Sequence, residues 1–216
     1  MNLIEKVVEN LKYWLGLGSQ NYLKQEELCK FANNVISRAE GGLYFLRQCL
    51  QLIHKGGTDS AWSRSIYILF SYNFELILKS RLILDQNGTT KGGLIEGLRS
   101  HDLAKLSKKL SKNKLNDINI KTIQKRQISD FKEYELETTD SRKIIIQDFV
   151  DVRYDFLENK FRSIDHKESI RMKEEIDVLL EMVKKIREKI PNLNYYKEET
   201  EEWLKKLQEK NPYLFR

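Results

Sequence analysis

The sequence predicts an all-α protein, and three observations carry that expectation. Apolar residues return at three- and four-residue spacing along most of the chain, which is the period of a helix with one buried face. Alternation at a spacing of two, the mark of a half-buried strand, is hard to find. Only 2 prolines and 10 glycines interrupt 216 residues, so long helices meet few breakers.

Taken in order, residues 3–15 read as a short amphipathic helix stopped by Gly16 and Gly18. A long helix follows from about Glu26 to His54, with room for a bend at Gly41-Gly42 and an end at Gly56-Gly57. Ser60 can cap the next helix, over residues 61–84, which is apolar around most of its circumference and so belongs among other helices. The stretch "DQNGTTKGGLIEGLRS", residues 85–100, is rich in glycine and suits a connection with ligand access. "HDLAKLSKKL" opens a short helix with Ser100 or Asp102 as its N-cap.

Residues 118–136 read as a polar helix or a partly ordered arm, and "TTDSRK" as a break in which Asp140 or Ser141 caps another helix. In that helix Ile146, Val150, Arg153 and Leu157 share a face. Ile170–Ile190 is strongly amphipathic, with Ile176, Leu179, Leu180, Val183 and Ile186 on one stripe, and Pro191 stops it. "KEETEEWLKKLQEK" supplies a last helix before Pro212. The expected organisation is an N-terminal helix (1–19), a helical bundle (20–190) and a C-terminal helical extension (191–216).

Composition bounds the function only loosely. Lys and Arg total 38 against 32 Asp and Glu, a net +6, which is mild for a nucleic-acid binder. Cys29 and Cys49 fall within apolar helical patterns and read as reduced core thiols. The first residues lack the apolar run of a signal peptide. The most apolar stretch contains Asn73, Glu75, Lys79 and Arg81, too polar for a lipid-facing span. The expectation is a cytoplasmic protein with no membrane partner.

Few residues carry chemistry. Arg153 on an apolar face demands a counter-charge, because an unpaired buried guanidinium costs several kcal/mol, to order of magnitude. Glu75 and Lys79 are one turn apart in the favourable acid-before-base order, so either they pair locally or Glu75 receives Arg153. His101 reads as a surface or capping residue, and His54 and His166 as ordinary ones, with no second ligand at metal spacing. Lys108, Lys109, Lys112, Lys114, Lys121, Lys125 and Arg126 concentrate positive charge between apolar segments. They form either a solvated face or a phosphate-facing patch. No P-loop or nucleophile elbow occurs, and no cofactor or metal is expected.

In order and spacing, "FELILKSRLIL", the glycine-rich loop into "HDLAKL", and "FVDVRYDFLE" resemble the HEPN superfamily, over about residues 60–160. Members are small all-α domains of prokaryotic toxin, defence and RNA-processing systems. The resemblance implies an all-α, HEPN-like helical bundle, with extra N- and C-terminal helices here, and a homodimer. Catalytic members carry an arginine followed four to six residues later by a histidine on one helix, and cut RNA without metal. Arg153 matches the arginine, but residues 157–159 are Leu157, Glu158 and Asn159, so the histidine is missing. The expected function is therefore a non-catalytic binding or interaction module of a bacterial nucleic-acid-related system, with RNA or a nucleotide as ligand. Two alternatives stand beside it. One is a metal-independent endoribonuclease in which His101 or His166 acts with Arg153; the other is a structural subunit for a protein encoded nearby.

Overall fold

The computed structural model describes residues 23–53, 60–86, 88–128, 131–148 and 164–191. Two long helices form its frame. Helix α1, Gln25–Leu52, starts where the Lys24 backbone N–H donates to the Glu27 carboxylate at 2.9 Å, which satisfies one of the donors a helix start leaves open. It buries Leu28, Ala32, Ile36, Ala39, Leu43, Leu46 and Leu50, a three- and four-residue stripe. Helix α2, Ser60–Leu84, buries Ile66, Phe70, Phe74, Ile77, Leu78 and Leu82. Leu23, just ahead of α1, donates to the Thr89 carbonyl beyond α2 at 2.8 Å, so the two helices run antiparallel. At mid-length they approach closely: a Cβ on Gly42 would collide with the Asn73 side chain, and only glycine leaves that room.

Three short helices follow: α3 (Lys91–Gly97), α4 (Leu103–Lys108) and α5 (Lys112–Asn116). Asp102 is the N-cap of α4, accepting from the Lys105 N–H at 3.0 Å. Gly88 sits at φ 77° in the loop before α3, a conformation glycine adopts without steric penalty. The last described helix, α6 (His166–Arg187), is capped by Asp165, which accepts from the Glu168 N–H at 2.7 Å. Its stripe of Ile176, Leu179, Val183 and Ile186 is fully buried in the common core. Polar ties fix it along α1: Arg187 donates to Asn33 at 3.1 Å and reaches Glu40 at 2.5 Å, while Asp177 pairs with Arg47 at 3.2 Å. The free thiols of Cys29 and Cys49 are buried on α1, and burial pushes both pKa values up.

The expectation of an all-α bundle is wrong. Residues Ile120–Ile128 (β1), Phe131–Thr138 (β2) and Lys143–Gln147 (β3) form an antiparallel sheet in the order β1-β2-β3. The polar helix or arm expected over 118–136 is therefore a hairpin. Tyr134 pairs with Lys125 on one side and Ile146 on the other, and Leu136 with Ile123 and Ile144. Tyr134, Leu136, Ile144 and Ile146 are buried, whereas Glu135 joins Arg126 and Lys143, and Glu137 joins Lys121. That is the two-residue period of a strand with one core face. The helix expected to begin at Asp140 or Ser141 fails at its start: Ser141, at φ 66°, is part of the β2–β3 turn. Ile146 is buried as a strand residue. Val150, Arg153 and Leu157 lie outside the described residues, as do the expected helices at 3–15 and beyond Pro191.

Neighbouring elements cover the open edge of β3. The Ser71 hydroxyl donates to the Gln147 carbonyl at 2.8 Å, and the Ile145 backbone N–H reaches the Glu175 carboxylate of α6. Covering an edge in this way blocks pairing with a foreign strand.

Candidate functional site

The polar centre of the molecule lies where the middle of α2 meets the start of α4. Glu75 is only 1% exposed, on a helix whose neighbours Phe74 and Ile77 belong to the core. A carboxylate in such a place needs partners for both oxygens. Lys79, one turn on, brings its Nζ to 2.6 Å from Oε1. From the loop before α4, His101 places Nδ1 at 3.1 Å from Oε1 and 3.1 Å from Oε2. An ionised carboxylate can only accept, so with Glu75 charged it is Nδ1 that carries the proton and donates. The imidazole side chain is 51% exposed, so one end of it is held by the core and the rest faces outward.

A second cluster is joined to the first through the chain. Asp102, next to His101, lies 3.6 Å from Lys125 Nζ, which is 3.2 Å from Asp148. The buried Tyr134 hydroxyl donates to the same Asp148 at 2.8 Å, and Lys125 stands 5.3 Å from the Tyr134 ring centre, within cation–π range. Burial and the Asp148 carboxylate both push the Tyr134 pKa up, so this phenol stays protonated as a donor. Burial alone would raise Asp102, but backbone N–H groups of Lys105 and Ala104 and the Lys125 charge outweigh it and hold the carboxyl below its usual value.

The basic residues expected to form one patch divide into two sets. Lys114 pairs with Asp85 at 3.1 Å, Lys121 with Glu137 at 2.7 Å, Lys125 with Asp148 and Arg126 with Glu135. Each of these cations already faces a carboxylate. Lys108 and Lys112 are exposed and form no ion pair among the described residues, and the same is true of Lys105 on the same side of α4. Lys109 donates to the Gly97 carbonyl at 2.5 Å. Together with exposed Arg99 and His101, these lysines make a basic rim over residues 99–112, in which Asp102 is the one acidic residue.

Of the other expected site residues, Glu75 and Lys79 lie side by side, and the pairing of Glu75 with Arg153 falls outside the described residues. His166 opens α6. That helix start is tied to α2 by Tyr67, whose hydroxyl donates to Glu168 at 3.1 Å, about two turns along α2 from Glu75. The structure thus gives His101 and His166 different settings. The contact between His101 and Glu75 is the feature that sequence reasoning missed. The two residues are 26 apart, and no local spacing links a helix interior to a later loop.

Among the described residues no cluster of three or more His, Cys, Asp or Glu side chains is placed to hold a metal ion, and no helix is long and apolar enough to cross a membrane. No family model matches the chain, and neither a curated protein nor a solved structure does.

Proposed function

We propose that the chain is a non-catalytic, homodimeric binding module that meets the phosphates of RNA or of a nucleotide through the rim at residues 99–112. The setting is a bacterial RNA-processing, toxin–antitoxin or defence system, in keeping with the resemblance of its α2 and α4 motifs to HEPN domains. The observation that carries the reading is the division among the lysines. Cations already facing carboxylates release few counterions when phosphate arrives, whereas Lys105, Lys108 and Lys112 have only solvent ions to exchange. The rim also borders His101, whose Nδ1 is engaged by Glu75.

The test is binding of labelled single-stranded RNA between about 50 and about 200 mM salt, the range over which phosphate contacts weaken steeply. Neutralising Lys105, Lys108 and Lys112 to Gln together should flatten the salt dependence by about 2 units of slope, at roughly 0.7 per phosphate contact. Neutralising Lys121 and Arg126 to Gln should leave it nearly unchanged. The reading fails if RNA is not retained even at low salt, or if both sets of variants weaken binding equally.

One observation favours a second reading, a metal-independent endoribonuclease. The Glu75 carboxylate fixes the tautomer and orientation of His101, which is how a carboxylate prepares a histidine for proton transfer. Cleavage of RNA with EDTA present, lost in His101→Ala, would replace the binding module with this enzyme. In the third reading, a structural subunit for a neighbouring protein, RNA is neither bound nor cut.

A further inference from the structure

The two edges of the sheet are finished differently. Strand β2 turns its even-numbered backbone groups toward β3: the Asp148 N–H donates to the Lys132 carbonyl and the Thr138 N–H to the Arg142 carbonyl, both at 2.9 Å. Its odd-numbered residues therefore bond to β1, where Glu133, Glu135 and Glu137 stand opposite Arg126, Gln124 and Thr122. By the same alternation Ile123, Lys125 and Gln127 direct their N–H and C=O groups away from the sheet. On β3 the outward groups of Gln147 and Ile145 are met by Ser71 and Glu175. On β1, among the described residues, no hydrogen bond reaches the outward donors and acceptors of Ile123, Lys125 and Gln127, and residues 124–127 are exposed.

We propose that this edge of β1 is where an extended, acidic segment of a protein partner docks, adding a strand to the sheet. The inference goes beyond the RNA reading and does not depend on it. An edge that alternates N–H and C=O is matched group for group only by another peptide backbone. A phosphate takes the donors alone and leaves the carbonyls facing its charge. The sign of the partner follows from the strand: residues 120–128 contain Lys121, Lys125 and Arg126 and no acid. A second copy of β1 would set cations against cations across the new pair, which is destabilising. Those three cations are already answered by Glu137, Asp148 and Glu135, but α4, which packs on β1, carries two that are not. Asp102, the cap of α4, stands 3.6 Å from Lys125. Lys105 and Lys108 follow on that helix, exposed and without an ion pair among the described residues. Carboxylates at alternate positions of an added strand share one face, and the face that Lys125 shares with α4 brings them to these lysines.

Amide hydrogen exchange of the full chain, read residue by residue by NMR, tests the proposal. In the free protein the amides of Ile123, Lys125 and Gln127 should exchange freely, while those of Thr122, Gln124 and Arg126 are protected by β2. The probe is an end-blocked peptide of alternating Glu and Val, about eight residues long to span the strand. At about ten times its dissociation constant it should slow the three outward amides about tenfold. Its fully N-methylated form, which keeps the charges and loses the donors, should slow none of them. Lys105→Gln/Lys108→Gln should weaken the peptide about fivefold, the worth of two exposed ion pairs. Gln127→Pro removes an outward N–H and no bond to β2. It should weaken the peptide about fivefold, the worth of one hydrogen bond, and leave RNA binding unchanged, so this surface and the RNA reading fail separately. The N-methylated peptide decides the matter if Gln127→Pro misfolds. Outward amides already protected in the free chain overturn the proposal, because the edge is then covered by the chain itself or by a second copy. So does a peptide that slows nothing, one whose N-methylated form acts equally, or slowing of the same amides by single-stranded RNA alone.

Discussion

Two buried glutamates, Glu75 on α2 and Glu175 on α6, solve the same problem to different degrees. Glu75 on α2 has Lys79 at 2.6 Å and the His101 imidazole against both oxygens. Glu175 on α6 has Arg171 at 2.9 Å on Oε1 and the Ile145 N–H of the β3 edge, but its Oε2 has no hydrogen-bond partner among the described residues. The consequence is visible in its ionisation. Burial, only partly offset by the Arg171 charge and the Ile145 N–H, pushes the Glu175 carboxyl up to about 7. A helical cation one turn away is therefore not enough to settle a buried carboxylate; the second oxygen needs a donor from another element.

The largest test removes the cation from the better-satisfied site. Lys79→Ala leaves Glu75 buried with only the His101 N–H. Breaking one partner out of a buried pair typically costs about 3 to 5 kcal/mol, and the imidazole that stays behind places the expected loss near 3 kcal/mol. Against a total of about 5 to 15 kcal/mol for a domain, urea unfolding should show a plainly lower midpoint. In Glu75→Gln/Lys79→Ala the loss should shrink, because no charge is stranded. If Lys79→Ala costs under about 1 kcal/mol, in the range of an exposed pair, Glu75 is solvated and the contrast with Glu175 disappears.

At the poorly satisfied site the effect depends on pH, and its sign is set by the direction of the shift. The Glu175 carboxyl is pushed up to about 7 in the folded chain from an ordinary 4.5, so between those values the folded state holds a proton that the unfolded state has lost. Stability from this group is fully present below about pH 4.5 and is lost as pH rises through 7, by roughly 3 kcal/mol at most. Glu175→Gln keeps an acceptor for the Ile145 N–H and carries no charge to desolvate. It should be more stable than wild type by about 2 kcal/mol near pH 8, with the gain vanishing near pH 5. Thermal unfolding of both proteins across that range checks this. A gain that grows toward acid would mean that Glu175 is held ionised by Arg171.

These two sites also show what the sequence could reveal. Helices α1, α2 and α6 were legible because long periodic stripes and a breaker such as Pro191 are local signals, and so was the Glu75–Lys79 pair at one-turn spacing. The sheet was not, although "KEYELET" alternates strictly: Glu133, Glu135 and Glu137 against Tyr134, Leu136 and Thr138. Its glutamate face is charged throughout, so over a short window it resembles a polar helix. Its apolar face is completed only by β3, whose "III" gives no period of its own. The partners that distinguish Glu75 from Glu175 were hidden for a related reason. His101 comes from a loop 26 residues on and Ile145 from a strand edge, and neither contact exists before the tertiary fold does.

The smallest expected effect tests whether water can stand in for the missing donor. His101→Ala strips Nδ1 from Glu75 and leaves Lys79 on Oε1, which gives Glu75 the same partial satisfaction that Glu175 has. The two sites still differ in access: the His101 side chain is 51% exposed, so removing it opens a path for solvent to Oε2, while α6 and the β3 edge enclose Glu175. A hydrogen bond replaced by one to water changes stability by only about 1 kcal/mol, so His101→Ala should lose about that much, well below Lys79→Ala. His101→Asn, which puts an amide donor at nearly the same position, should recover most of it. Chemical unfolding of the pair is the measurement. A loss near 3 kcal/mol in His101→Ala, with no recovery in His101→Asn, would show that the ring itself seals the site, and that His101 packs against the core rather than serving as a donor that water can replace.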